Sequence, residues 1–273
     1  RRSVLITGGA GFIGANIIRE LLRHKYKINL VLKESSDLWR IKDITKRIKI
    51  HRIDLLNKKK LTKIVSKINP DFIIHLAAHS NYRKQTDVEK MIDINIKGTL
   101  NLLLASKSIN YKLFINTGSS SEYGIKNEPM KETDILEPIS FYAVTKASAS
   151  FLCSVFSREY KKPIVTVRPF SAYGPYEDAN RFIPTVIKSL LNKSSIKLTP
   201  GKERRDFIYI KDLVDLYLKI MKKSKKMSGQ VFNFGTGIKY TNDEVVKTLF
   251  KIAKKTVPIK KGAYPARIWD TPH

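Results

Sequence analysis

The chain of 273 residues has one cysteine, Cys153, and so no disulfide can form within it. Cys153 sits among apolar residues of an expected helix and reads as a small buried side chain. That usage fits a reducing compartment, and a cytoplasmic location is expected. Long apolar runs are missing, so no membrane-spanning helix and no membrane partner are expected. No signal-peptide pattern stands at the start. Acidic residues are scarce: 24 Asp and Glu face 52 Lys and Arg, a formal net charge of +28. Such a field attracts anions. The lysines are dispersed, however, and no RNA- or DNA-binding module is recognisable, so nucleic acid is not the expected partner. Short runs such as Lys58-Lys59-Lys60 read as solvated helix ends. The sequence opens on Arg1 rather than Met and ends at Trp269-Asp270-Thr271-Pro272-His273 with no closing cap, so both ends are expected to be incomplete.

What is present is a strand-to-helix rhythm. Apolar runs at 3–7, 28–32, 48–53, 72–76, 112–116 and 164–168 alternate with helical patterns near 12–24, 57–68, 87–109 and 141–160. Repeated units of this kind predict an α/β fold, a Rossmann-type doubly wound parallel sheet covered on both faces. After residue 169 prolines and glycines break the rhythm, notably Pro169, Gly174-Pro175, Pro184 and Pro200-Gly201. Residues 1–168 are therefore expected to bind a dinucleotide. Residues 169–273 are expected to form a smaller, partly interleaved C-terminal lobe for substrate, built around helices near 211–223 and 242–254 and a short strand at 231–234.

The first strand runs into Thr7-Gly8-Gly9-Ala10-Gly11-Phe12-Ile13-Gly14. Gly8 permits the tight turn, Gly11 lets backbone N–H groups approach a pyrophosphate, and Gly14 lets helix and strand pack closely. Three glycines also serve ordinary turns. A second motif makes the reading specific: Tyr142-Ala143-Val144-Thr145-Lys146 puts a phenol and an ammonium one helical turn apart. An ammonium beside a phenol is expected to lower its pKa from about 10 toward working pH. Ser119 lies in Gly118-Ser119-Ser120-Ser121-Glu122-Tyr123-Gly124, directly after the fifth strand, where a hydroxyl would face the ligand cleft.

The set of motifs resembles the extended short-chain dehydrogenases/reductases, in their sugar-nucleotide epimerase, dehydratase and reductase branch. It comprises the glycine turn, Asp54-Leu55, His75-Leu76-Ala77-Ala78, Asn95-Ile96-Lys97-Gly98-Thr99, the serine loop, Tyr142 with Lys146, Arg168-Pro169-Phe170-Ser171-Ala172-Tyr173-Gly174-Pro175, and Arg205-Asp206-Phe207-Ile208-Tyr209-Ile210. The resemblance implies Ser119, Tyr142 and Lys146 as catalytic residues. It implies Gly8, Gly11, Phe12, Ile13, Gly14, Asp54, Leu55, Leu76, Ala77 and Ala78 as the cofactor channel, with Tyr142 and Lys146 at its end. Ser80, Ser121, Ser171, Phe182, Arg205 and Arg267 stand where substrate contacts are expected. Ser171 replaces a common asparagine, and Asn95 matches a family asparagine whose role is structural.

Two departures narrow the expectation. At the end of the second strand, where NAD-preferring relatives carry an acid, this chain has Lys33, followed by Ser35 and Arg40. Cations and a hydroxyl suit a 2′-phosphate, so NADP(H) is favoured over NAD(H). The acidic residues that dehydratases carry directly after the catalytic Ser/Thr are replaced by Ser120 and Ser121, with Glu122 one position late. A 4,6-dehydratase is therefore disfavoured. The pattern resembles reductases of 4-keto-6-deoxy sugar nucleotides, such as those forming GDP-rhamnose. A 4-epimerase is the alternative reading, and a silent dinucleotide sensor is a weaker one. Relatives of this kind pair as homodimers through helices like those near 87–109 and 141–160.

Overall fold

In the computed structural model, which describes residues 2–80, 87–199 and 203–263, β1 (Ser3–Thr7), buried at four of its five residues, lies next to the central strand of a seven-stranded sheet. The chain continues through α1 (Phe12–Arg23), β2 (Lys27–Leu32), β3 (Lys49–Arg52), α2 (Lys58–Ile68) and β4 (Phe72–His75). Then follow α3 (Val88–Met91), α4 (Gly98–Ser106), β5 (Leu113–Thr117), α5 (Phe141–Glu159) and β6 (Ile164–Pro169). The later elements are β7 (Ser171–Tyr173), α6 (Phe182–Leu191), β8 (Ile196–Lys197), β9 (Arg204–Tyr209) and α7 (Ile210–Lys222). Last come β10 (Val231–Phe234), β11 (Lys239–Thr241), α8 (Asn242–Ala253) and β12 (Ile259–Lys260).

The sheet order is β10-β6-β5-β4-β1-β2-β3, and every pairing is parallel. This is the Rossmann-like architecture expected from the strand–helix rhythm, with a seventh strand contributed by β10. Both faces are covered, so β4, β5 and β6 are buried along their whole length. Strand order reverses between β1 and β4, which opens a crevice at the carboxyl ends of these strands.

Beyond residue 169 the chain builds two small sheets, β11-β9-β7 and β12-β8, before and after β10 returns to the large one. Val186, Leu190, Ile196, Leu198 and Val246 make a separate small core there. The expected single helix over 87–109 is instead α3, a π-helical turn at Ile92–Lys97, and α4. The wider turn places Asn95 inward, where it is buried. Residues 39–47, which carried no helical expectation, form a 3-10 segment with Ile41 and Ile44 buried.

Candidate active site

The turn after β1 has the geometry its glycines predict. Gly8 has φ +70°, and a Cβ there would lie 2.5 Å from the Ala77 nitrogen. A Cβ on Gly14 would lie 2.5 Å from the Gly9 Cα. Gly11 caps α1 without any side-chain hydrogen bond, and the first turn holds no acid. The first N–H groups of α1 thus point into the crevice with no side chain competing for them, which fits a pyrophosphate. Phe12 and Ile13 pack their partly buried side chains against the main core. Leu76 and Ala77, partly buried, and Ala78, exposed, follow β4 along the same crevice.

The crevice at the ends of β2 and β3 is mixed in charge. Lys33 and Asp54 line a pocket of about 250 Å³ with Leu56, Asp87, Glu89, Lys90, Asp93 and Ile94. Four carboxylates against two ammonium groups do not favour an added phosphate dianion. The Asp54 carboxylate accepts the Leu56 N–H at 2.8 Å. Leu55 was expected beside the adenine, but its side chain is buried in the core below α4, where Gly98 approaches it; Leu56 faces the pocket instead. Ser35 is exposed in the turn after β2. Arg40 does not share that turn's pocket: its Nε donates to the Tyr176 carbonyl at 2.8 Å, and its guanidinium stacks over Trp39.

Ser119, Tyr142 and Lys146 come together at the carboxyl end of β5. Ser140 caps α5 by accepting the Ala143 N–H at 3.1 Å, which fixes where the helix starts. Tyr142 follows two residues later and its phenol feels the Ser119 side chain, whose Oγ accepts from the Ser121 hydroxyl at 2.8 Å. Lys146 is buried, and its Nζ donates to the Thr117 carbonyl at 2.5 Å. Burial lowers the Lys146 pKa.

The Tyr142 phenol departs from expectation. Burial first, then the Glu122 charge, push its pKa up to about 12, against the lowering effects of the Ser119 hydrogen bond and the Arg181 guanidinium. The ammonium of Lys146 is directed at Thr117 rather than at the phenol, so the lowering expected from the four-residue spacing is not present in this state.

Glu122 is the site's other surprise. It is fully buried and turned away from the crevice. Its Oε1 accepts the Ser119 N–H at 2.8 Å, closing a capping box over residues 119–122. Its Oε2 accepts Arg168 Nε at 2.9 Å, and Arg168 NH1 continues to the Tyr123 hydroxyl at 2.7 Å. That hydroxyl donates to Asn233 Oδ1 at 2.7 Å, so β10 braces the serine loop from behind.

A second brace comes from Asn95. Its Oδ1 accepts the His79 N–H at 2.7 Å, while its Nδ2 donates to the His79 carbonyl at 3.0 Å and to Thr145 Oγ1 at 2.9 Å. The chain after β4 is thereby tied to α5. His75 lies buried between Thr7 and Thr99, and burial lowers its pKa to about 3, so it stays neutral.

The remaining expected substrate contacts are spread over the later elements. Ser171 opens β7 opposite Phe207 of β9. Phe182 starts α6 with its ring 6.2 Å from that of Phe207. Arg205 is exposed on β9, opposite Tyr240. Ser80 is partly buried, one residue after the His79 backbone held by Asn95. Arg267 lies outside the described residues. Arg181 and Glu177 carried no sequence expectation; they follow the Gly174-Pro175 turn, whose glycine and proline had signalled a loop there without pointing to either side chain.

A model of the NAD dependent epimerase/dehydratase family matches residues 4–235. The chain belongs to this family. It is 30% identical over 275 residues to the dTDP-D-glucose 4,6-dehydratase of Dictyostelium discoideum, covering 92% of this chain and 62% of that one. The chain thus spans less than two thirds of the length of that relative. Among solved structures it is similar to the UDP-glucuronic acid 4-epimerase of Bacillus cereus in complex with UDP-glucuronic acid and NAD. The identity is 30% and the TM-score 0.85, over 95% of this chain and 85% of the other. A UDP-glucose 4-epimerase from Thermotoga maritima, solved with UDP-glucose, is 27% identical with a TM-score of 0.88, over 98% and 87%. The preference for NADP(H) expected from Lys33, Ser35 and Arg40 finds no support among these relatives; the Bacillus cereus complex holds NAD. Among the described residues no helix is long and apolar enough to cross a membrane, and no metal-binding group of side chains occurs.

Proposed function

We propose that this family member acts at C4 of a nucleoside-diphosphate sugar and interconverts its C4 epimers with NAD. The observation that carries the reading is the placement of Glu122. Elimination of water from a sugar needs an acid and a base besides the C4 machinery. The carboxylate nearest the catalytic serine is sealed against Arg168 and cannot reach a substrate. What remains beside the expected position of O4 is a hydroxyl and a phenol, a set suited to moving one proton on one oxygen.

The cofactor would lie along the Gly8–Gly14 turn, Ala77 and the Asp54 pocket, with its ribose at Tyr142 and Lys146. When bound, NAD supplies a hydride acceptor that oxidises C4 and returns the hydride to it. Ser119 donates a hydrogen bond to O4, and Tyr142, which must first lose its own phenolic proton to solvent, takes the O4 proton as phenolate and gives it back. Lys146, fixed by the Thr117 carbonyl, anchors the cofactor's ribose beside that exchange. Phe182, Ser171 and Arg205 are the proposed contacts to the rest of the substrate, on a lobe formed by residues after 169.

A second reading, net reduction of a 4-keto-6-deoxy sugar nucleotide with NADPH, is favoured by the exposure of Lys33 and Ser35 at the end of β2. One experiment separates the two. The purified protein is denatured and the released nucleotide identified, and C4 isomers are then followed by NMR without added cofactor. Retained NAD and interconversion without net redox change support the epimerase. An empty protein that consumes added NADPH with a 4-keto sugar nucleotide replaces it with the reductase.

The same proposal includes a homodimer. Phe141, Val144, Phe151 and Val155 leave an exposed apolar stripe along α5, next to exposed Ile92 and Leu100. Light scattering at micromolar concentration should give twice the chain mass, and Phe151→Glu should reduce it to one.

A further inference from the structure

Arg40 carries an expectation that its geometry does not meet. A 2′-phosphate ligand should present its guanidinium to the pocket at the end of β2. Arg40 instead donates Nε to the carbonyl of Tyr176, 2.8 Å away and 136 residues later in the chain. Tyr176 has φ +71°, a backbone conformation that a residue with a Cβ holds only when its surroundings impose it. The surroundings are visible. Arg19 of α1 lies over the Tyr176 ring at 4.1 Å and is itself held by Asp43 at 2.5 Å. Asn16, also on α1, donates to the neighbouring Pro175 carbonyl at 3.0 Å. Three side chains from the cofactor half thus grip two consecutive residues of the segment that leads to α6.

That segment is short and internally tied. The Glu177 N–H reaches the Gly174 carbonyl at 3.2 Å, and the Arg181 N–H reaches the Asp178 carbonyl at 2.9 Å. The Glu177 carboxyl lies 3.8 Å from Arg181 Nε. Moving Tyr176 therefore moves Arg181, the residue directly before Phe182 and the start of α6.

We infer that Arg40 is a positioning residue: with Arg19 and Asn16 it clamps segment 174–181 onto the cofactor half, and so sets where Arg181 and α6 stand against the sugar pocket. For the sugar pocket the inference rests on the proposed function; the clamp itself does not. Because the same grip starts on α1, whose N-terminus is the cofactor's cradle, the clamp joins the two binding sites through one strap.

Lysine keeps the charge of Arg40 but has no Nε–H and no planar face to stack on Trp39, so Arg40→Lys separates a clamp from a phosphate ligand. Amide hydrogen exchange of segment 174–181 is measured on wild type, Arg40→Lys and Arg40→Gln, with Tyr176→Phe as the control that keeps carbonyl and ring. Exchange of the segment should quicken about tenfold in both Arg40 variants and stay near wild type in the control. Calorimetric titration should give NAD and NADP affinities whose ratio changes by less than about twofold. The KM for the sugar nucleotide should rise roughly tenfold while kcat stays within about threefold. Unchanged exchange in the Arg40 variants overturns the clamp. So does wild-type behaviour of Arg40→Lys combined with a selective loss of NADP in Arg40→Gln, which would return Arg40 to the phosphate. A wild-type protein that turns over no sugar nucleotide defeats the proposed function alone, because exchange still decides the clamp.

Discussion

Arg168 Nε and Glu122 Oε2 meet at 2.9 Å beneath the serine loop, with both side chains almost fully buried. A buried pair of this kind gains little over apolar packing, but breaking it leaves one charge stranded. Glu122→Ala and Arg168→Met, taken singly, should each lose about 3–5 kcal/mol of unfolding free energy in urea. A residual dehydration activity removed by Glu122→Gln with stability intact would show instead that the carboxylate faces the substrate.

Tyr142→Phe deletes the group proposed to exchange a proton with O4 and keeps the ring in the first turn of α5. Turnover should fall about 10³-fold, the scale of a lost general acid–base. Calorimetry with NAD should show nearly the wild-type affinity. Turnover close to wild type would remove Tyr142 from the mechanism.

The fold was legible in the sequence because most strands of the large sheet are short apolar runs and most crossovers helical patterns; the 3-10 crossover at 39–47 and the polar β3 are the exceptions. The local spacing rules that produce Gly8, Gly11 and Gly14, or Tyr142 and Lys146, are equally local in space. What the sequence hid depends on long-range packing. Lys146 was expected to act on the phenol four residues before it, yet the carbonyl at the end of β5 captures its ammonium. Leu55 and Leu56 are adjacent and alike, and only the position of α4 decides which one is buried. Glu122 reads as an acid one position late; its partner Arg168 comes from β6, 46 residues on. Arg40 looked like a phosphate ligand because Tyr176 is too distant in the chain for any pattern to link them.

Glu177 gives a pH signature opposite to that of most carboxylates. Burial pushes its pKa up from 4.5 to about 7, against the Arg181 charge and the Gly174 hydrogen bond, and its Oε2 has no hydrogen-bond partner among the described residues. Between those two values the unfolded chain has released the proton that the folded chain still holds. Stability therefore falls as pH rises from about 4.5 to 7, and above 7 the full penalty remains. Glu177→Gln removes the ionisation. It should match wild type near pH 4.5 and exceed it at pH 8 by up to about 3 kcal/mol, read from urea melts at the two pH values. A gain that is the same at both pH values would assign the effect to packing.

The tightest approach in the serine loop predicts the least conservative outcome for a small change. A Cβ on Gly118 would stand 2.3 Å from Glu122 Oε1 and 3.2 Å from Ser150 Oγ. Contact with the tip of a glutamate is ordinarily relieved by a small rotation. Here the tip is held on one oxygen by the Ser119 N–H and on the other by Arg168, so rotation breaks both. Gly118→Ala should cost about 2–4 kcal/mol, combining overpacking with the loss of a charge-assisted hydrogen bond. Because Ser119 moves with that bond, kcat should also drop, by up to about 10²-fold for a displacement near 1 Å. Shortening the acid makes room for the methyl group. Glu122→Asp is destabilising alone, yet combined with Gly118→Ala it should cost less than the sum of the two. A double-mutant cycle should give a coupling of about 1–2 kcal/mol. Strict additivity would mean that the added methyl group meets something other than the carboxylate, and that the serine loop is not braced through Glu122.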